Sequence, residues 1–193
     1  MVEVILSLPK SLRFIKKMEV MNMKYGIAIF PKKELQDLAN SLRKRFDPKY
    51  ALIPPHITLV SDFEASNEEI KEISKKLEKV ASHFQSISLK IKKISSFQPV
   101  NNVVYLKVEP NTDLADLHTE LFSTLHLEKP THAFVPHITL GQELTHDQHL
   151  DMYSSLRMRR FDYEETADRF HLLYELENGS WTVFETFRLG KDM

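Results

Sequence analysis

The chain contains no cysteine. That excludes disulfides and thiolate metal sites, and it fits a reducing cytoplasm. Glycine is nearly as scarce, with four scattered copies, so no glycine-rich loop can cradle phosphates. Neither a P-loop nor a dinucleotide-binding fingerprint is present. No excess of one charge exists: 26 basic residues face 27 acidic ones, for a net charge of −1. A field this weak makes no long electrostatic track for duplex nucleic acid. No apolar run approaches a membrane span. The opening "MVEVILSLPKSLRFIKK" has a short apolar patch broken by Glu3, and its basic residues follow the patch. A secretory signal has the reverse order. The expectation is a cytoplasmic protein with no membrane association.

What is present suits folding. Apolar residues make up 42% of 193, enough for the core of one domain or two small fused lobes. Residues 1–22 are expected to be a non-native or disordered extension. Met18-Glu19-Val20 could be encoded with a ribosome-binding sequence a workable distance ahead of Met23. On that reading Met23 is the start, and residues 23–193 form the domain.

From there the pattern alternates. "KYGIAIF" (24–30) reads as a strand ending at Pro31, and 32–45 as a helix with Leu35, Leu38, Ala39 and Leu42 at helical spacing. A strand is predicted over 56–63. Ser66 and Glu69 form a capping-box signal ahead of the stripe Ile70, Ile73, Leu77 and Val80. Strands are predicted over 86–94 and 103–109, reversing at Asn101-Asn102. Thr112 is the predicted cap of one helix, 137–144 is a strand, and Thr145 is the predicted cap of another helix. The segments 162–167, 169–176 and 181–189 close the chain as strands. Asn178-Gly179 between the last two signals a hairpin.

Into this order falls a repetition. Residues 54–59 read "PPHITL" and residues 135–140 read "VPHITL", each in a strand that precedes a helix. The pattern predicts an α+β fold: a bilobal, pseudo-twofold duplication, with two antiparallel sheets flanked by helices around a central cleft. In a strand, alternate residues share a face. His56 therefore projects with Thr58, and His137 with Thr139, while Ile57, Leu59, Ile138 and Leu140 face a core. Pro55 and Pro136, lacking an N–H, suit a strand's first residue or an edge.

Two opposed imidazoles are the minimum equipment for acid–base cleavage of a phosphodiester. One, neutral, takes a proton from the attacking oxygen; the other, charged, protonates the leaving oxygen. Two threonine hydroxyls can hold the non-bridging phosphate oxygens. No metal or cofactor is required. Either His-x-Thr alone reads as structural; the identical pair in corresponding elements shifts the reading towards chemistry.

The paired motifs, His56-Ile57-Thr58-Leu59 and His137-Ile138-Thr139-Leu140, resemble the HxTx signatures of the 2H phosphoesterase superfamily. "MKYGIAIFPKKELQDLAN" followed by "LIPPHITL" is similar to its phosphoesterase branch in Bacillus-type bacteria. The resemblance covers the chain from about Met23 onward. It implies a metal-independent hydrolase acting on a cyclic phosphate or 2′–5′-type phosphodiester of a nucleotide or RNA end. It also implies His56 as proton donor, His137 as proton acceptor, and Thr58 and Thr139 as substrate-binding residues. The expected partner is a small phosphate-containing substrate, with no obligatory protein partner. The alternative is a non-catalytic protein binding a nucleotide or RNA end in the same cleft. A metal-dependent hydrolase using several histidines is a third reading, and the absence of acidic residues in either motif counts against it.

Other candidates are less specific. Lys90, Lys92 and Lys93, and Arg157, Arg159 and Arg160, are basic clusters that could hold an RNA end but also suit a solvated face. Tyr25, Phe30, Tyr105 and Phe134 could stack on a base or pack the core. His146 and His149 suit exposed helix surface, His83 and His126 suit helix C-terminal ends, and His171 suits a structural place in an apolar strand. His118 lies on a helix. His132, in a loop, is a weak candidate for the cleft.

Overall fold

Met23 opens the first strand, β1 (Met23–Ile29), and Pro31 ends it. The computed structural model describes residues 22–128 and 131–190. The expectation for residues 1–22 therefore lies, apart from Asn22, outside the described residues. After β1 come α1 (Lys33–Phe46), β2 (Ile57–Ala65), α2 (Glu69–His83), β3 (Ile87–Ser96), β4 (Val104–Val108) and α3 (Thr112–Thr124). They are followed by β5 (His137–Gly141), α4 (His146–Leu156), β6 (Arg160–Ala167), β7 (Arg169–Glu175) and β8 (Trp181–Arg188). Among the described residues, no helix is long and apolar enough to cross a membrane.

Local chemistry explains the boundaries. Thr145 closes a full capping box with Gln148 at the start of α4. Ser66 and Glu69 bond reciprocally, the Ser66 N–H donating to the carboxylate at 2.8 Å and the Glu69 N–H to the Ser66 hydroxyl at 3.3 Å. At α3 the cap is Asn111 rather than Thr112: the Asn111 side chain accepts from the Leu114 N–H at 3.1 Å, and Thr112 is already helical. The reversal expected at Asn101-Asn102 turns earlier, at Phe97–Val100, where the Val100 N–H reaches the Phe97 carbonyl at 2.9 Å across a cis Gln98–Pro99 bond. The Asn178-Gly179 hairpin forms as expected, with Gly179 at φ +78°.

The strands form one sheet, ordered β6-β3-β4-β5-β2-β1-β7-β8, with every neighbouring pair antiparallel. This corrects the expectation of two sheets. The halves meet at β5–β2 through the single register pair Ile57–Ile138. The motif prolines explain why the join is so short. Extending the register two residues sets Pro55 opposite Leu140 and Pro136 opposite Leu59. A nitrogen without a hydrogen therefore falls at each end of the ladder.

Each half contributes four strands, and the order strand-helix-strand-helix occurs in both β1-α1-β2-α2 and β4-α3-β5-α4. The helices cross over: α1 packs against β5, and α3 against β2. The buried Glu165 of β6 accepts from the Lys32 N–H at 2.9 Å, where a carboxylate suits the start of α1. Ile57, Leu59, Ile138 and Leu140 are fully buried, each stabilising the fold by about 1.5–3 kcal/mol. The histidines and threonines of the same strands face the other way and are half-buried or exposed.

Candidate active site

The two pentapeptides fold alike. In each, a proline holds the residue before it extended, and the histidine ring turns back onto the carbonyl two residues upstream. His56 Nδ1 donates to the Pro54 carbonyl at 2.8 Å, and His137 Nδ1 donates to the Val135 carbonyl at 2.7 Å. With Nδ1 protonated and anchored, Nε2 of each neutral ring is left as a free base. The antiparallel register, extended one residue either way from Ile57–Ile138, sets His56 across from Thr139 and Thr58 across from His137. The structure thus brings all four motif residues to the seam of the sheet.

The surroundings of the two rings differ. His56, Thr58 and Thr139 line a cleft of about 370 Å³. Gly26 and Ala28 of β1 and Trp181 of β8 also line it. A Cβ on Gly26 would stand 3.3 Å from Trp181 Cζ3, so the glycine lets the indole close over β1. Phe30 lies edge-on to His56, with ring centres 6.4 Å apart. His137 does not line that cleft; its cross-strand partner Lys107 lines a second hollow of about 780 Å³, together with Tyr105 and Phe134. Phe97 and Tyr105 meet the His137 ring edge-on at 5.0 and 5.1 Å.

Burial pushes the His56 imidazole down to about 4, and the positive charges of Arg43 and of His137 add to this. Burial also lowers His137, against an opposing pull from the Val135 carbonyl. Both rings are therefore neutral at pH 7 in the free protein, and an anion placed between them would favour protonating one.

Beneath His56 lies an ion pair that the sequence reading missed. Arg43 is 2% exposed. Its Nε donates to Asp47 at 2.8 Å, and its Nη2 donates to the carbonyls of Ile53 at 2.9 Å and Lys49 at 3.3 Å. Gln142, just past β5, donates to the other Asp47 oxygen at 3.0 Å. The loop leading to the first motif is thus fastened to the strand of the second. Arg43 continues the buried row Leu35, Ala39, Arg43 of α1, and that spacing was the available signal. Trp181, the only tryptophan, was also missed, as was Phe97.

Of the stacking candidates, Tyr25 is buried against Phe63 and Phe184, and Phe134 stacks on His118 at 4.0 Å. Phe30 and Tyr105 do flank the histidines. His149 is a correction: it is 2% exposed, with Nε2 2.6 Å from the Ser96 hydroxyl. It occupies the buried row of α4 with Met152 and Leu156. His171 is half-buried, hydrogen-bonded to Thr186 and 5.1 Å from the Phe30 ring. His132 is exposed in its loop and does not line the cleft. Lys90 is paired with Glu164 at 3.1 Å. Among the described residues, no three histidine or acidic side chains converge to hold a metal ion.

A curled antiparallel sheet backed by helices, with two His-x-Thr strands meeting at its centre, defines a two-histidine class of protein. Comparison with known proteins gives the class its name. A model of the 2′-5′ RNA ligase superfamily matches residues 31–179, and the chain belongs to that family, the 2H phosphoesterases. A Geobacillus sp. (strain WCH70) protein is 57% identical over 168 residues, 87% of this chain and 97% of that one. A Bacillus licheniformis protein is 54% identical over 168 residues, 87% of this chain and 99% of that one. Both carry the name "Putative phosphoesterase". In fold, the chain resembles Escherichia coli LigT complexed with 3′-AMP, with a TM-score of 0.70 and 18% identity over 89% of this chain and all of that one. LigT has also been crystallised with ATP, NADP+ and phosphate.

Proposed function

We propose that the chain is a metal-independent phosphoesterase. It hydrolyses a cyclic phosphate or 2′–5′-type phosphodiester of a nucleotide or RNA end. The observation that carries this reading is the matched anchoring of His56 and His137, which leaves two Nε2 atoms free at one seam beside Thr58 and Thr139. The nucleotide and phosphate complexes of LigT support a small phosphate-bearing ligand for the same fold. We read the recurring strand-helix order as an internal duplication that supplied both motifs.

In the reaction, His137 Nε2 takes a proton from water, whose oxygen bonds to phosphorus. The bond from phosphorus to one ribose oxygen breaks, and protonated His56 gives its proton to that oxygen. Thr58 and Thr139 donate to the non-bridging oxygens, where charge is held in the transition state. The donor and acceptor roles follow the family resemblance, and they exchange when the reaction runs backwards. The low affinity of the buried His56 ring for a proton means that the bound phosphate anion must help charge it.

The test is hydrolysis of nucleoside 2′,3′-cyclic monophosphates, with a chelator present, by the wild type, His56→Ala and His137→Ala. Each variant is expected to lose about a hundredfold or more in kcat, the usual share of a general acid or base, while folding as before. Near-normal turnover by both variants would refute the assignment. Wild-type binding without turnover would favour a nucleotide-binding protein using the same cleft.

A further inference from the structure

The cationic side chains beside the second motif form a row. In the β4–β5 ladder, Lys107 is the cross-strand partner of His137; in β3–β4, Lys93 is the partner of Lys107; in β3–β6, Arg160 is the partner of Lys93. Directly opposed residues share a face of the sheet. The row therefore begins at the catalytic face and crosses three strand spacings of roughly 4.8 Å, about 14 Å in all. Among the described residues, none of these three cations has a carboxylate within salt-bridge distance.

Like charges opposed in a ladder repel and cost stability. The same β3–β6 ladder shows the usual remedy three residues away, where Lys90 faces and pairs with Glu164. The unrelieved row calls for anions from outside.

The row also has room beside it. Lys107 and Lys93 line the 780 Å³ hollow, with Phe134 on its wall and Asp113, at the start of α3, as the acidic residue there. Lys93 and Ser95 also line a further hollow of about 440 Å³, which continues to Arg157, Arg159 and Arg160. Each volume suits a nucleotide-sized group.

We propose that this row is an extended phosphate-binding site. The preferred substrate is then a short single-stranded oligoribonucleotide: its terminal phosphate lies between the histidines, and its preceding phosphates lie on Lys107, Lys93 and Arg160. A polyphosphate tail would use the cations but not the ring-walled hollow beside them. This inference rests on the proposed reaction.

The test compares a nucleoside 2′,3′-cyclic monophosphate with a five-nucleotide RNA ending in the same group, using the wild type and the K93A/R160A double variant. The variant should turn over the mononucleotide within twofold of wild type and lose tenfold or more in kcat/KM on the oligonucleotide, mostly through KM. Its salt slope should fall by about 1.4, at about 0.7 per single-strand phosphate contact. Equal losses on both substrates, or no loss on either, would overturn the proposal. So would an equal weakening of ATP as a competitor, which would assign the row to a polyphosphate tail. If the wild type turns over neither substrate, cyclic-phosphate hydrolysis fails as the reaction, and fluorescence anisotropy with the labelled oligonucleotide decides the row separately. Weaker binding by the variant then supports it, and equal binding refutes it.

Discussion

The two halves of the seam carry one pentapeptide and two different settings. The local geometry is shared, with Nδ1 bound to the carbonyl two residues upstream at 2.8 Å in one copy and 2.7 Å in the other. The neighbours are not. His56 looks onto Gly26, Ala28 and Trp181, with a buried ion pair fastening its loop. His137 looks onto Phe97, Tyr105 and Lys107, and among the described residues of its loop, 125–128 and 131–136, no ion pair occurs. The short peptide therefore determines how each imidazole is held. The strands on either side determine how readily it takes a proton and what can lie beside it. A symmetric motif is made asymmetric by β1 and β8 on one side, and by β4, β3 and β6 on the other.

The ion pair gives the largest way to break this comparison. Asp47→Ala leaves the Arg43 guanidinium buried and uncompensated, which costs about 3–5 kcal/mol for a pair of this kind. Urea unfolding should register that loss. A cost under about 1 kcal/mol would mean that Arg43 reaches water, and that the loop before His56 is held no more firmly than the one before His137.

The pH profile sharpens the comparison. On the proposed mechanism turnover needs one neutral and one protonated ring, and kcat/KM reports the free protein. His56 lies at about 4 and His137 is lowered from 6.5. Falling pH protonates the base below the lower of the two values, and rising pH removes the last proton above the higher one. The kcat/KM optimum should therefore lie between them, below pH 6.5, and kcat should peak at higher pH because the bound phosphate favours the charged ring. An optimum of kcat/KM above pH 7.5 would contradict the burial of these rings in the working enzyme.

Much of this was legible beforehand because it is local. The pentapeptides mark the candidate site, period-2 alternation assigns their faces, and Ser66, Thr145 and Asn178-Gly179 announce a cap, a cap and a hairpin. What was not legible is long-range. Whether the halves form one sheet or two turns on a single β2–β5 register pair, which no local pattern encodes. Arg43 and His149 were obscured for another reason. Each occupies the buried spacing of an amphipathic helix, after Leu35 and Ala39 in α1 and before Met152 and Leu156 in α4. Charge and polarity suggest solvent at such positions, but the partners that satisfy them, Asp47 and Ser96, become visible only in the fold.

Two glycines supply the smallest and most selective contrast. A Cβ on Gly141 would stand 2.8 Å from Met152 Sδ and 3.3 Å from Phe46 Cβ, on the helix-covered side. Gly141→Ala should cost about 1–3 kcal/mol by overpacking and leave KM unchanged in whatever fraction folds. A Cβ on Gly26 would meet Trp181 at 3.3 Å and the Val60 carbonyl oxygen at 3.5 Å. The indole can yield by a few tenths of an ångström, so Gly26→Ala should cost about 1 kcal/mol or less. It should still raise KM several-fold, because the wall that moves is a wall of the His56 cleft. Unfolding and steady-state kinetics on the two variants separate packing from recognition. A KM effect in Gly141→Ala and none in Gly26→Ala would place the substrate on the wrong side of this comparison.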